Sequence, residues 1–201
     1  MPSSGAPTTD PATLTVAQAA RRDRVLRAAL KLGAAGGYEA VQMRDVAAEA
    51  DVALGTIYRY FSSKDHLLAA ALVTWTGDLE QQIVRRPPAG RSVADRVANV
   101  LQRATRGMER EPKLTAALMA AISSPDPGAA SCQGEVRASM ARVLDRALPA
   151  EIGPEVRNQV IRVLNFVWYG ALLGWVNGWE GTDDVGREIT DAAHLLLDPY
   201  S

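Results

Sequence analysis

Cysteine, histidine, phenylalanine and lysine are all scarce in this 201-residue chain. A single cysteine, Cys132, excludes an internal disulfide framework and any multi-cysteine zinc or iron–sulfur site. With only His66 and His194 besides, no metal and no cofactor is expected. Two phenylalanines set against 34 alanines favour helix over strand. Only three of the 22 basic residues are lysine, a bias that reads as GC-rich coding rather than chemistry. The formal net charge is −1, so bulk charge announces no nucleic-acid partner. The sequence has no G-x-S-x-G, no phosphate-binding glycine loop and no H-E-x-x-H, and its carboxylates are scattered. An enzyme is therefore not expected. The first residues lack a basic segment followed by an apolar run, so a cytoplasmic protein with no membrane partner is the expectation.

What the chain does have is helical periodicity, with 47% hydrophobic residues and enough length for a real core. Residues 1–13 are rich in Pro, Ser and Thr and read as a disordered tail. A first helix spans about residues 15–35 and stops at Gly36-Gly37. Short helices over 43–50 and 54–61 flank a tight Asp51-Val52-Ala53 connection. Ser62 and Asp65 read as a capping box that opens a fourth helix running to about Val84. Further helices are expected over Val93–Glu109, Pro112–Ile122, Ser131–Ala147, Pro154–Trp179 and Asp184–Leu197, making an all-α chain of about nine helices. The stretch from Val163 to Trp179 carries no charge over 17 residues, but Asn165 and Asn177 interrupt it and Arg162 and Glu180 close it off. It reads as a buried helix, apolar nearly all round, which a second copy of the chain would naturally cover.

Two short helices joined by a tight turn inside a three-helix packet form a helix-turn-helix, whose second short helix enters the DNA major groove. The residue types suit that role. Arg44 opens the first short helix, Thr56, Tyr58, Arg59 and Tyr60 crowd the second, and Lys64 begins the next. Residues 15–64 hold eight basic against five acidic residues, and Arg21, Arg22, Arg24 and Arg27 cluster ahead of the motif.

The run from Gly36 to Ala47, followed by Val52 to Lys64, resembles the DNA-binding domain of TetR-family transcriptional regulators. That resemblance implies a three-helix head over residues 14–64, bound to a palindromic double-stranded operator. It also implies a helical domain over 65–201 that binds a small effector and forms a homodimer through its last two long helices. The residues it points to for DNA are Gln42, Arg44, Leu54, Gly55, Thr56, Tyr58, Arg59, Tyr60 and Lys64. Candidates for the effector pocket are Trp75, Leu79, Met108, Leu118, Met119, Met140, Phe166 and Tyr169. Candidates for the dimer contact are Trp168, Gly170, Gly174, Trp175, Gly178, Trp179, Ile189 and His194. Residues 110–119 and 163–168 through Trp175 are also similar to the actinobacterial subgroup that represses cholesterol catabolism. This likeness implies a bulky apolar effector, a steroid or a fatty acyl-CoA thioester. The chain departs from the family pattern at Asp51, where glycine is common, and at Gln42 and Ala53, where Ser or Thr usually caps. An all-helical acyl-CoA or lipid-binding protein without DNA activity is the alternative, and it leaves residues 42–64 unexplained.

Overall fold

The computed structural model describes Thr9 and residues 11–200. Among the described residues there is no strand. The regular structure is α1 (Val16–Ala40), α2 (Met43–Glu49), α3 (Leu54–Tyr60), α4 (Lys64–Arg85), α5 (Val93–Glu109), α6 (Pro112–Ile122), α7 (Pro127–Asp145), α8 (Pro154–Val176) and α9 (Thr182–Leu197), with two short 3-10 turns. Of the expected disordered tail, residues 1–8 and 10 lie outside the described residues. Pro11–Thr13 form a 3-10 turn, and the Thr9 N–H donates to the Arg59 carbonyl at 2.9 Å.

The chain forms two compact units, and their border is not the one expected at residue 64. One unit runs to Thr74 and takes in Lys113–Gly134; the other comprises Trp75–Pro112 and Glu135 onward. The reason lies in how α6 meets α1. A Cβ built on Gly33 would stand 2.8 Å from Leu114 Cδ1, and Lys113 Nζ donates to the Ala35 carbonyl at 3.3 Å. Glycine at 33 thus lets α6 lie close against the helix that carries the head.

In the first unit α1, α2 and α3 pack around Val25, Leu26, Ala29, Val46, Ile57 and Phe61, all buried. Each fully buried Ile or Phe of this kind is worth roughly 1.5–3 kcal/mol. The expected break at Gly36-Gly37 is present. Gly37 takes φ 73°, ψ −160°, a region open essentially to glycine alone, and it kinks α1 before a last short turn. Asp51 holds the connection between α2 and α3 at φ 50°, the left-handed conformation that Asp tolerates better than most residues. Neither Gln42 nor Ala53 caps its helix with a side chain, in line with the departures noted above. The expected Ser62 cap is instead made by Ser63, whose hydroxyl accepts from the His66 N–H at 2.9 Å.

In the second unit α5 and α8 both pack against α9. Ser92 and Asp95 cap α5 reciprocally, each accepting from the other's backbone N–H at 3.0 Å. Trp168 of α8 is buried, and its indole N–H donates to Thr105 Oγ1 at 2.9 Å. Val185, Ile189, Ala193 and Leu197 form the inward stripe of α9. Among the helix bounds that differ from expectation, two have a clear local cause. α7 starts at Pro127 rather than Ser131, because the Asp126 carboxylate accepts from the Gly128 and Ala129 N–H groups at 2.8 and 3.0 Å and so caps the helix earlier. α8 ends at Val176 rather than Trp179. There the Trp179 N–H bonds to the Gly174 carbonyl at 2.9 Å, the Gly178 N–H bonds to the Trp175 carbonyl at 3.0 Å, and Gly178 takes φ 74°. This is the Schellman arrangement, which places a left-handed glycine just past the last turn.

Asp51→Gly should leave the melting temperature within about 2 °C of wild type, whereas Asp51→Val should lower it by about 3–6 °C. A β-branched residue in the left-handed region costs roughly 1–2 kcal/mol. Thermal denaturation followed by circular dichroism checks both.

Candidate nucleic-acid interface and ligand groove

The outward side of α2 and α3 carries most of the expected DNA-contacting side chains. Gln42, Arg44, Gly55 and Arg59 are exposed, Leu54 and Thr56 are half-buried, and Tyr58 is 48% exposed. Gly55 has open space where a Cβ would stand, so close packing within the chain does not explain it. Tyr60 is the exception. It is 2% exposed, its ring meets Phe61 edge-on, and its hydroxyl has no hydrogen-bond partner among the described residues. Residues two apart on a helix cannot share a face, and here it is Tyr58 that faces outward. Tyr60 is therefore removed from the DNA set. Of the arginines ahead of the motif, two serve the head itself. Arg22 lies 5.2 Å from the Phe61 ring centroid, and Arg24 Nε donates to the Ala50 carbonyl at 3.4 Å, at the end of α2.

The start of α4 is tied down more firmly than its sequence suggests. Lys64 Nζ sits 3.7 Å from the Tyr38 ring centroid and donates to the Tyr38 carbonyl at 3.2 Å. Asp65 accepts from the Tyr38 hydroxyl and, at 2.6 Å, from Ser124 Oγ in the loop between α6 and α7. Burial first and the Asp65 carboxylate second push the Tyr38 pKa up to about 12, so its proton stays on. His66 Nδ1 accepts from the Ser62 N–H at 3.2 Å, and its ring fills the space beside Gly128, where a Cβ would come within 2.6 Å. Burial lowers the His66 pKa; the Asp126 carboxylate opposes this and Arg22 adds to it. Sequence spacing offered Asp65 as a cap and could not reveal its partners, which lie 27 and 59 residues away.

In the second unit a groove of about 670 Å³ runs between the latter half of α4 and α5. That volume falls within the usual range for small-molecule sites, roughly 300–1,000 Å³. Of the eight expected effector residues it takes in Trp75 and Leu79. Met108, Leu118, Met119 and Met140 are each buried, Tyr169 is half-buried, and Phe166 is 64% exposed on the outside of α8. What sequence reasoning missed is the arginine lining: Arg85, Arg86, Arg103, Arg106 and Arg110. The signal was available, since residues 103, 106 and 110 fall on one face of a helix.

The expected dimer residues divide in two. Trp168 and Ile189 are buried in the chain's own core, and the side chain of Glu180 lies over Gly174, with Oε2 2.9 Å from where a Cβ would be. Gly178 lies just past the end of α8, exposed, with open space where a Cβ would stand. Trp168, Ile189 and Gly174 are corrected: the chain already uses those three for itself. Gly170 faces open space, Trp175 is half-buried and Trp179 is 77% exposed. His194 bonds to Asp198 at 2.9 Å and stands 3.6 Å from Asp95. The unforeseen exposed apolar residues are Val163 and Phe166, in line with Gly170 on α8, and Leu195 of α9, 83% exposed. By length and mean hydropathy of 1.2, α8 is long and apolar enough to cross a membrane, but its inward stripe packs within its own unit.

Two family models match the chain. Residues 25–71 match the bacterial regulatory proteins of the tetR family, and residues 90–196 match a tetracyclin repressor-like C-terminal domain. The chain is 40% identical over 181 residues to the HTH-type transcriptional repressor KstR of Rhodococcus jostii, covering 90% of this chain and 84% of that one. The KstR repressor of Mycobacterium tuberculosis is 37% identical, with 90% and 82% covered. Among solved structures, a TetR transcriptional regulator from Rhodococcus sp. RHA1 superimposes with a TM-score of 0.83 at 34% identity, covering 92% of this chain and all of that one. Thermus thermophilus FadR, solved with lauroyl-CoA, shares the fold at a TM-score of 0.68 and 21% identity, with 90% and 95% covered.

Tyr58→Ala should weaken binding to the cognate duplex about tenfold or more by removing an outward contact from each recognition helix. Tyr60→Phe should leave that affinity unchanged and raise the melting temperature, since it deletes a buried hydroxyl with no partner. Fluorescence anisotropy and thermal melting separate the two. A second expectation concerns pH. The folded state favours neutral His66, so its contribution is present above the usual value of 6.5 and is lost as pH falls through the lower folded value. Between about pH 7.5 and about pH 5, wild type should lose more thermal stability than His66→Asn, which keeps an acceptor for Ser62 but does not titrate.

Proposed function

Since the chain belongs to the TetR family of bacterial transcriptional regulators, we propose that it is a repressor that holds a palindromic operator as a homodimer. A bulky apolar effector, a steroid or a fatty acyl-CoA thioester, releases it. The observation that carries this reading is the 40% identity, over 90% of the chain, to a named transcriptional repressor. The exposed set of Arg44, Thr56, Tyr58 and Arg59 supports it, because those side chains have the hydrogen-bonding groups that read base edges and hold phosphates. In this reading each dimer presents two α3 helices to successive major grooves, about one helical turn apart. Its place of action is the cytoplasm, where the operator lies.

The dimer contact proposed here is the exposed apolar line Val163, Phe166 and Gly170 of α8, together with Leu195 of α9. Apolar residues this exposed on two neighbouring helices are costly in water and are relieved by a second copy. Effector release follows from α4, a single helix that carries Lys64 at its start and Trp75 and Leu79 in the groove. A ligand in the groove favours one conformation of the dimer over another, and the shift can be no larger than its difference in affinity for the two. Lys64 meets DNA in this scheme by leaving its contact with Tyr38, or else acts by holding the head in shape.

Anisotropy of the purified protein on duplexes from its own upstream intergenic region tests the reading. Tight, salt-sensitive and sequence-specific binding, released by a steroid or acyl-CoA thioester, is expected. Binding to every duplex alike, or to none, overturns it. Phe166→Glu should shift the sedimentation coefficient to that of a monomer and lower operator affinity about a hundredfold or more, because half-sites are then bound singly.

A further inference from the structure

Three consecutive residues open α4, and together they reach three different neighbours. Successive side chains on a helix point about 100° apart, so Lys64, Asp65 and His66 fan out over more than half of its circumference. Lys64 holds the carbonyl and the ring of Tyr38 at the end of α1. Asp65 accepts from the Tyr38 hydroxyl and from Ser124 Oγ. His66 Nδ1 accepts from the Ser62 N–H just past α3, and its ring stands against Gly128 in the first turn of α7. The α6–α7 connection thus meets the start of α4 at two points, Ser124 and Gly128, neither of which lies on α2 or α3.

That connection is braced so that it passes movement on rather than absorbing it. The Ser124 N–H donates to the Ala121 carbonyl at 3.1 Å, and Gln133 Nε2 of α7 donates to the Ile122 carbonyl at the end of α6 at 2.6 Å. The Asp126 N–H donates to Ser124 Oγ at 3.2 Å, while the Asp126 carboxylate caps α7. One hydroxyl therefore joins the cap of α7 to Asp65, accepting one hydrogen bond and donating the other. The chain on the other side of Asp65 has as little slack. Tyr38 follows Gly37 at φ 73°, and its carbonyl also accepts from the Val41 N–H at 3.2 Å. The Gln42 N–H then bonds to the Ala40 carbonyl at 3.1 Å as α2 begins. Where Tyr38 sits decides how Gln42 and Arg44 are presented, and also where the Lys64 ammonium is held.

We propose that Ser124 and Gly128 are positioning residues for operator binding: through Asp65 and His66, the α6–α7 connection holds the end of α1, and so the start of α2, in the arrangement that fits DNA. The proposal rests on the reading of the chain as a DNA-binding repressor and names the point at which a segment outside the reading helices sets their geometry. Apparent affinity is the intrinsic affinity scaled by the fraction of molecules in the competent arrangement. Loosening this contact therefore weakens operator binding without removing any contact to DNA. Ser124→Ala takes away only the hydroxyl that reaches Asp65. Gly128→Ala acts at the second point, since a Cβ there would stand 2.6 Å from His66 Cγ and Nδ1 and push the ring away from the Ser62 N–H.

The test is anisotropy of the full-length protein on its cognate duplex and on a scrambled duplex across a salt series, joined to amide hydrogen exchange without DNA. Ser124→Ala should bind the cognate duplex about three- to tenfold more weakly, with scrambled-duplex affinity and salt slope unchanged. Gly128→Ala should weaken cognate binding in the same way, and Ser124→Thr, which keeps the hydroxyl, should bind like wild type. In an Asp65→Ala background Ser124→Ala should add less than about twofold, because its partner is already gone. Without DNA, Ser124→Ala should speed exchange in residues 38–44. Wild-type cognate affinity in either single variant overturns the proposal, and so does unchanged exchange in residues 38–44. An equal fall on both duplexes overturns it as mere loss of folded protein. A salt slope shallower by about 0.9, the share of one phosphate, overturns it as a direct DNA contact. A full Ser124→Ala effect in the Asp65→Ala background overturns the route through Asp65. If wild type prefers no duplex, the repressor reading falls, while the exchange still decides whether the connection holds the end of α1.

Discussion

Six consecutive residues of α4, from Leu67 to Leu72, are buried, so no side of that stretch meets solvent. A helix covered all round cannot shift one face at a time; it moves with its surroundings or not at all. The rest of the first unit is organised around that fact. Three alanines at 69–71 keep the stretch slim enough to be enclosed. Ahead of it, Asp65 gathers the Tyr38 hydroxyl from the end of α1 and the Ser124 hydroxyl from the α6–α7 loop. α2, α3, the first half of α4 and α6 therefore fall in one compact unit.

Local signals are legible in this sequence and distant ones are not. The Gly36-Gly37 break, the left-handed Asp51 and the weak caps at Gln42 and Ala53 all follow from backbone preferences of single residues, which a sequence displays directly. The cap of α4 lies at Ser63, one residue past the expected Ser62, and α7 begins at Pro127, four residues before the expected Ser131. Several residues in such loops can cap, and only the fold decides which one does. The end of α8 is hidden in the sequence because glycines at 170, 174 and 178 look like one stripe, although the last of them serves as the helix stop. Tyr60 and Trp168 share a different difficulty. A large amphipathic side chain suits an interface and a core equally, and its own helix does not say which way it faces.

Arginine carries much of the molecule's logic, in two distinct ways. Arg24, Arg103 and Arg157 each reach a backbone carbonyl at or just beyond the end of a helix, where free acceptors collect, and so hold one helix to another. Arg44, on α2, and Arg85, Arg86, Arg106 and Arg110, in the groove, make no such contact among the described residues and stand exposed. A chain of nearly balanced charge thereby gathers exposed arginines in the groove without a basic composition to advertise them. The balance is local, and a net charge averaged over the chain conceals it.

The bond from the Thr9 N–H to the Arg59 carbonyl joins the segment before α1 to the last turn of α3. The carbonyl of Arg59 is thereby satisfied from outside its own helix, so a proline at position 9, which has no N–H, would return a helix-end acceptor to solvent.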